Sequence, residues 1–207
     1  ALVNRLVEVA AARYFGTPKP YELSNKTSDP SASAFNFLTA RRDRMEKSLQ
    51  DWTLCNSRTS DPIGVRTAFD RFEKTMTELG MKVNEEYSND QDARLWASPA
   101  RFEGGTLLVA HLDVPQTLTA SHQPFRRDPE YLFGEGIASS RAPLVMIENV
   151  LRALRHVRLL RKTPVGALIY ADEGTDCSRS ADLIKKAASM AKRVFVLRPG
   201  NVTDQFV

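Results

Sequence analysis

Two short pairs of residues in this chain have side chains that could bind a metal ion or activate water. His111 and Asp113 follow the apolar run 107–110, and Asp172 and Glu173 follow the apolar run 166–171. On a strand, side chains two positions apart leave the same face, so His111 and Asp113 can project together. A nearby carboxylate can orient a metal-binding His through its second ring nitrogen. The two pairs are therefore candidate site residues, although His-x-Asp alone is weakly specific.

The elements that would position these pairs can be read from apolar periodicity. We predict five strands, at residues 81–83, 94–97, 106–112, 166–171 and 193–197, and helices at residues 40–53, 62–79, 142–157 and 180–191. The helix 62–79 is the clearest, because its apolar residues step by four and three positions and Gly80 follows as a C-terminal cap. Strands that alternate with helices predict an α/β fold, a mixed and mostly parallel sheet with helices on both faces.

All four polar candidates follow predicted strands. In open α/β sheets, sites form beyond the carboxyl ends of the strands. We therefore expect His111, Asp113, Asp172 and Glu173 to belong to one site rather than to four separate strand ends.

The order of motifs along the chain resembles that of the zinc exopeptidases, the family of aminoacylases, glutamate carboxypeptidases and succinyl-diaminopimelate desuccinylases. Residues 111–115 read His-Leu-Asp-Val-Pro, residues 122–125 read His-Gln-Pro-Phe, residues 131–136 read Tyr-Leu-Phe-Gly-Glu-Gly, and the run 166–171 ends in Asp172-Glu173. The resemblance covers residues 42–207 and implies the phosphorylase/hydrolase-like α/β fold. It also implies Glu173 as the catalytic general base, Asp113 as a catalytic residue that orients His111, and His111 as a metal ligand.

Several positions depart from that pattern. The resemblance implies a bridging Asp where Ser139 stands, a Lys where Arg141 stands, and a zinc-binding Glu where Gly174 stands. A serine hydroxyl is a poor zinc ligand, and glycine has no side chain to offer. Zinc is thus the cofactor implied by the resemblance, but we predict that it is not bound as a pair.

Two functions remain open at this point. The first is a zinc-exopeptidase-like domain that no longer hydrolyses anything and serves as a binding or structural module in a larger protein. The second is a metal-dependent amide or peptide hydrolase with an altered site, in which Asp176 supplies a substitute carboxylate. Either would take a peptide or an N-acyl amino acid as ligand. Cys177, close to Asp172 and Glu173, is a weaker candidate for a nucleophile.

Composition narrows the function classes. The chain has 207 residues and a net charge of +4, and its two cysteines are too few for a disulfide framework. A basic run clusters late in one predicted helix and comprises Arg152, Arg155, Arg158, Arg161 and Lys162. Without interleaved aromatic residues it is typical of a solvated helix face. No apolar stretch has membrane-spanning length. We expect a cytoplasmic protein without a nucleic-acid or membrane partner.

The first 40 residues have no counterpart in the resemblance. Residues 1–15 have helical spacing of apolar residues, and residues 24–33 have the polar composition of a linker or surface loop. We predict that residues 1–40 are a helix and a linker that end an upstream domain of the same polypeptide. Residues 41–207 would then be the zinc-exopeptidase-like domain, in an incomplete form.

Overall fold

A computed structural model of the chain describes residues 29–89, 92–115 and 119–199. Its main sheet has five strands, which are β1 (Lys82–Val83), β2 (Ala93–Ala97), β3 (Thr106–His111), β6 (Val165–Tyr170) and β7 (Arg193–Val196). Their order across the sheet is β1-β2-β6-β3-β7. Strand β3 pairs in parallel with β6 and with β7, whereas β2 is antiparallel to both of its neighbours. Two further strands, β4 (Arg126–Arg127) and β5 (Leu132–Phe133), form a separate hairpin.

Five α-helices accompany the sheet within the described residues. They are α1 (Pro30–Thr39), α2 (Arg42–Thr53), α3 (Pro62–Leu79), α4 (Ala142–His156) and α5 (Ala181–Met190). A π-helical turn, Ile137–Arg141, leads directly into α4, and a 3₁₀ turn, Glu173–Thr175, follows β6. The part of the chain that the structure describes holds no helix that is both long and apolar enough to cross a membrane.

The two faces of the sheet pack into separate hydrophobic cores. Trp96, Leu108 and Ile169 belong to the core that α1, α2, α3 and α4 cover. Leu95, Val109 and Leu168 belong to the opposite core, where Ala187 of α5 packs. This alternation follows from the period of two along a strand. The predicted mixed α/β sheet with helices on both faces is confirmed.

Helix α3 has the start, the buried stripe and the end that its sequence predicts. The Asp61 side chain accepts a hydrogen bond from the Gly64 amide at 3.0 Å, which caps the first turn. Phe69 and Phe72 are buried, and each such side chain stabilises the fold by roughly 1.5–3 kcal/mol. Gly80 ends the helix at φ 81°, in the left-handed region that glycine enters without a steric penalty.

Helix α1 occupies part of the segment in which a polar loop was expected. Residues 30–33 are helical, so the loop prediction is wrong there, whereas residues 1–28 lie outside the described part of the chain. Asp29 caps the helix by accepting from the Ser31 amide at 2.9 Å, and Pro30 suits a first turn. Asp, Pro and Ser can begin a helix as well as form a loop. Ala34 and Leu38 then bury the helix against the domain core.

The basic run was expected to lie in a single helix, but it does not. Helix α4 ends at His156, and Arg158 adopts φ 58°. Arg161 and Lys162 belong to a separate 3₁₀ turn, Leu160–Lys162. The left-handed residue at 158 turns the chain, so the later cations leave the helix axis.

Candidate functional site

The carboxyl ends of β3 and β6 lie side by side. His111 is the last residue of β3 and stands opposite Tyr170, the last residue of β6, in a parallel register. Asp113 and Glu173 follow within three residues of these ends. His111, Asp113 and Glu173, which we call the strand-end site, are therefore brought together as the sequence predicts.

Asp113 lies at the centre of the strand-end site and is fully buried. Its carboxylate accepts hydrogen bonds from the Thr59 hydroxyl at 2.5 Å, the Gly174 amide at 3.1 Å and the Glu173 amide at 3.3 Å. Burial alone would raise the pKa of Asp113, but hydrogen bonds from His111, Thr59 and the Gly174 amide outweigh it and lower that pKa. Asp113 is thus an ionised residue that joins β3 to the turn after β6.

The His111 ring is oriented by Asp113. Nδ1 lies 2.9 Å from the Asp113 carbonyl oxygen and 3.3 Å from its carboxylate. Since both partners are acceptors, Nδ1 carries the proton in the neutral ring, and Nε2 keeps its lone pair. A carboxylate on the second nitrogen is the arrangement that a metal-binding His usually has.

The Glu173 carboxylate is held by two side chains that sequence reasoning missed. The Tyr170 hydroxyl donates to it at 2.7 Å, and the Arg198 guanidinium forms an ion pair with it. The Cys177 thiol lies 3.5 Å from the same carboxylate. Arg198 follows β7, so the strand that pairs in parallel with β3 brings a cation to the strand-end site.

The place of the missing zinc-binding carboxylate is filled. A Cβ atom on Gly174 would lie 2.4 Å from the Thr59 hydroxyl and 3.0 Å from the Thr59 Cβ, far inside van der Waals contact. Ser139 lies in the π-helical turn, where its hydroxyl faces the Gly136 carbonyl at 3.5 Å. Among the described residues, no group of three His, Cys, Asp or Glu side chains is arranged to hold a metal ion. Within the described residues, positions 139 and 174 therefore offer no carboxylate to a metal ion.

Three further candidates stand apart from the centre of the site. Asp172 is buried and accepts from the Arg179 and Ser180 amides at 2.8 and 3.0 Å, at the start of α5. Asp176 is exposed and left-handed at φ 57°. Burial and the neighbouring Asp172 raise the pKa of the Cys177 thiol, which disfavours a nucleophilic thiolate.

Arg141 lies inside the protein rather than facing a ligand. Its guanidinium donates to the Ser57 hydroxyl at 2.8 Å, the Leu112 carbonyl at 3.1 Å and the Cys55 carbonyl at 2.8 Å. Burial lowers the pKa of Arg141 to about 10, so the side chain stays protonated near neutral pH. Arg141 thus ties the end of β3 to the segment that carries Thr59.

A second polar group lies beside the strand-end site and comprises Arg58, His122 and Glu135; we call it the Arg58 cluster. The Arg58 guanidinium donates twice to the Glu135 carboxylate, at 2.9 Å each, and once to the Ala120 carbonyl at 2.8 Å. His122 Nδ1 lies 2.9 Å from the same carboxylate. The hydrogen bonds from Arg58, helped by His122, lower the pKa of Glu135 to about 2 despite its burial. The cluster lines a cleft of about 310 Å³.

No protein-family profile matches the chain, and no curated protein sequence matches it. Solved peptidase structures do match. Human carnosine dipeptidase 1 superposes with a TM-score of 0.63 at 16% identity, over 79% of this chain and 40% of that chain. A dipeptidase from Saccharomyces cerevisiae gives a TM-score of 0.56 at 18% identity, over 79% and 40% of the two chains. The aminopeptidase PepT of Bacillus cereus gives 0.55 at 14% identity, over 77% and 44%.

The chain shares the fold of these peptidase structures. The zinc-exopeptidase-like fold predicted from the order of motifs is confirmed, and the chain spans less than half the length of each of these structures. At identities this low the similarity establishes the fold alone, so the chemistry has to be argued from the strand-end site itself.

Proposed function

We propose that this peptidase-fold domain binds a ligand, or supports a neighbouring domain, without hydrolysing a bond. The observation that carries the proposal is the ion pair between Arg198 and Glu173. A general base needs a free lone pair directed at the water that it deprotonates. The Glu173 carboxylate instead faces a guanidinium and a tyrosine hydroxyl.

The charge at the strand-end site also argues against a bound metal ion. A divalent cation would have to approach the Arg198 guanidinium, and the carboxylate oxygens that could compensate already accept hydrogen bonds within the chain. Cation repulsion and occupied acceptors both weaken metal binding. The domain would then work without zinc, as a binding or structural module in the cytoplasm. Its ligand would be a peptide or an N-acyl amino acid.

One observation favours the alternative of a hydrolase with a single-metal site. The His111 ring has its Nδ1 fixed by Asp113, which leaves Nε2 for a metal. The Arg198 side chain is about half exposed, so it can leave Glu173 without unpacking a core. In that alternative His111 would hold the metal, Asp113 would orient His111, and Glu173 would act as the base.

Metal analysis and a hydrolysis assay on the full chain separate the two. We expect less than stoichiometric zinc after purification in zinc-containing buffer. Release of amino acids from dipeptides and N-acyl amino acids should not exceed that of a Glu173→Gln variant. One bound metal per chain, together with hydrolysis that Glu173→Gln abolishes, would establish the alternative instead.

A further inference from the structure

The edge of the sheet opposite the strand-end site gathers positive charge. Parallel strands β3, β6 and β7 begin there, with Thr106 in register with Val165 and with Arg193. Strand β2 ends there at Ala97, which pairs with Lys82 of β1. We call this the amino-end edge.

Six exposed cations lie on the amino-end edge and on the turns that lead into its strands. They are Lys82, Arg158, Arg161, Lys162, Lys192 and Arg193. Within the described residues none of the six takes part in an ion pair. Glu103, in the loop before β3, is already paired with Arg101 at 3.1 Å.

The basic run that begins in α4 and continues into the turns after it therefore divides into two parts. Arg152 pairs with Glu148 at 2.8 Å, and Arg155 donates to the Glu78 carbonyl, so the helical part is satisfied within the domain. Within the described residues, Arg161 and Lys162, which follow the left-handed Arg158, form no such ion pair. The interpretation of the basic run as a solvated helix face therefore applies to Arg152 and Arg155 alone.

The backbone beneath the six cations is fixed. The Thr106 amide donates to the Pro164 carbonyl at 3.0 Å, and the Lys192 and Arg193 amides both donate to the Gly105 carbonyl, at 2.9 and 3.1 Å. A Cβ on Gly105 would lie 2.1 Å from the Pro164 carbonyl oxygen, so the two turns touch. A partner that binds here would order side chains rather than loops, which keeps the entropic cost low.

We propose that the amino-end edge docks an acidic segment of a protein partner. Five strands spaced about 4.8 Å apart give an edge roughly 19 Å wide, the length of about six extended residues. Arg and Lys side chains spread along this edge suit an extended segment that carries several carboxylates. The exposed aromatic side chains of the described residues, Tyr131 and Phe133, lie on the β4–β5 hairpin, so bases of a single-stranded nucleic acid would find no stacking surface among the six cations.

The test uses the full chain and a fluorescein-labelled oligoglutamate peptide, with anisotropy measured at low and at physiological ionic strength. The variant Arg161→Glu/Lys162→Glu/Lys192→Glu reverses charge on the edge. The control Arg42→Glu/Arg44→Glu/Arg66→Glu reverses three exposed charges on α2 and α3 and makes the same change in net charge. Circular dichroism checks that both variants fold.

We expect the edge variant to weaken peptide binding at least about tenfold and the control to change it less than about twofold, with salt weakening the parent complex. Equal losses in the two variants would mean that net charge alone attracts the peptide and would overturn the proposal. So would undetectable binding by the parent. Tighter binding of an oligonucleotide of equal charge, lost in the edge variant, would reassign the surface to nucleic acid.

Discussion

Glu135 in the Arg58 cluster and Glu173 in the strand-end site are both glutamates paired with an arginine, yet their surroundings differ. The Arg58 and Glu135 side chains are 8% and 5% exposed, and the pair is bidentate. Arg198 is 55% exposed, and Glu173 is 15% exposed. The first pair is sealed into the fold, whereas the second closes a site that faces solvent.

This difference assigns the two carboxylates different roles. A buried charge that loses its partner keeps its full desolvation cost, whereas solvent can replace an exposed partner. Glu135 is therefore a structural residue that holds the loop carrying Ala120 and His122. Glu173 is a residue whose availability depends on where Arg198 lies.

The largest expected effect comes from removing each arginine in turn. Arg58→Met leaves Glu135 buried without its cation, so we expect the thermal transition to fall by roughly 10 °C. Arg198→Met should lower it by less than about 3 °C, because water can solvate Glu173. Calorimetry of the two variants measures both shifts. Comparable decreases of the transition temperature in the two variants would mean that the two ion pairs stabilise the fold equally.

The pH dependence of stability should follow Glu135. Its folded pKa of about 2 lies below the ordinary value of 4.5, so the stabilisation is complete above pH 4.5 and is lost as the pH falls toward 2. We expect the free energy of unfolding to fall by an amount on the order of 2 kcal/mol, after allowance for solvent screening. The free energy of unfolding, measured with urea at several pH values across this range, should depend less steeply on pH in Glu135→Gln than in the parent. The exposed Glu130→Gln is the control, and an unchanged slope in Glu135→Gln would contradict the assignment.

Zinc affinity can be restored in steps. Ser139→Asp with Gly174→Glu supplies the two carboxylates that the family resemblance implies, but Thr59 blocks position 174 and Arg198 repels a cation. Adding Thr59→Gly and Arg198→Ala should raise zinc affinity roughly 100-fold over the parent, or about 2.7 kcal/mol, with a smaller gain for the double variant. Calorimetric titration with zinc of the parent, the double variant and the quadruple variant measures the three affinities. No gain in the quadruple variant would show that Nε2 does not face a metal-sized space.

The smallest effect is expected at the hydrogen bond from Thr59 to Asp113. Thr59→Ala removes one donor from a buried carboxylate that keeps the Glu173 and Gly174 amides. A loss of about 1 kcal/mol in unfolding free energy is expected, and Thr59→Ser should recover most of it. Equal stability of the Ala and Ser variants would show that the Thr59 methyl packing, not its hydroxyl, matters.

The sequence predicts what depends on local pattern and misses what depends on distant partners. Helix α3 and strands β3 and β6 carry clear apolar periods, so their ends, and with them His111, Asp113 and Glu173, could be placed on one edge. Arg58 lies 77 residues from Glu135 and has no local signal that marks it as a partner. Arg198 likewise follows an ordinary strand. Helix α1 was missed because a polar start outweighed its two buried residues, Ala34 and Leu38.

The two amides that bind Asp113 have a consequence for folding. The amides of Glu173 and Gly174 are 60 and 61 positions from Asp113 in sequence, so their hydrogen bonds can form only after β3 and β6 have paired. A contact of such long range is closed late, since loop closure must precede it. Hydrogen exchange at these two backbone positions would thus report complete assembly of the central sheet, and slow exchange there would mark a fully native chain.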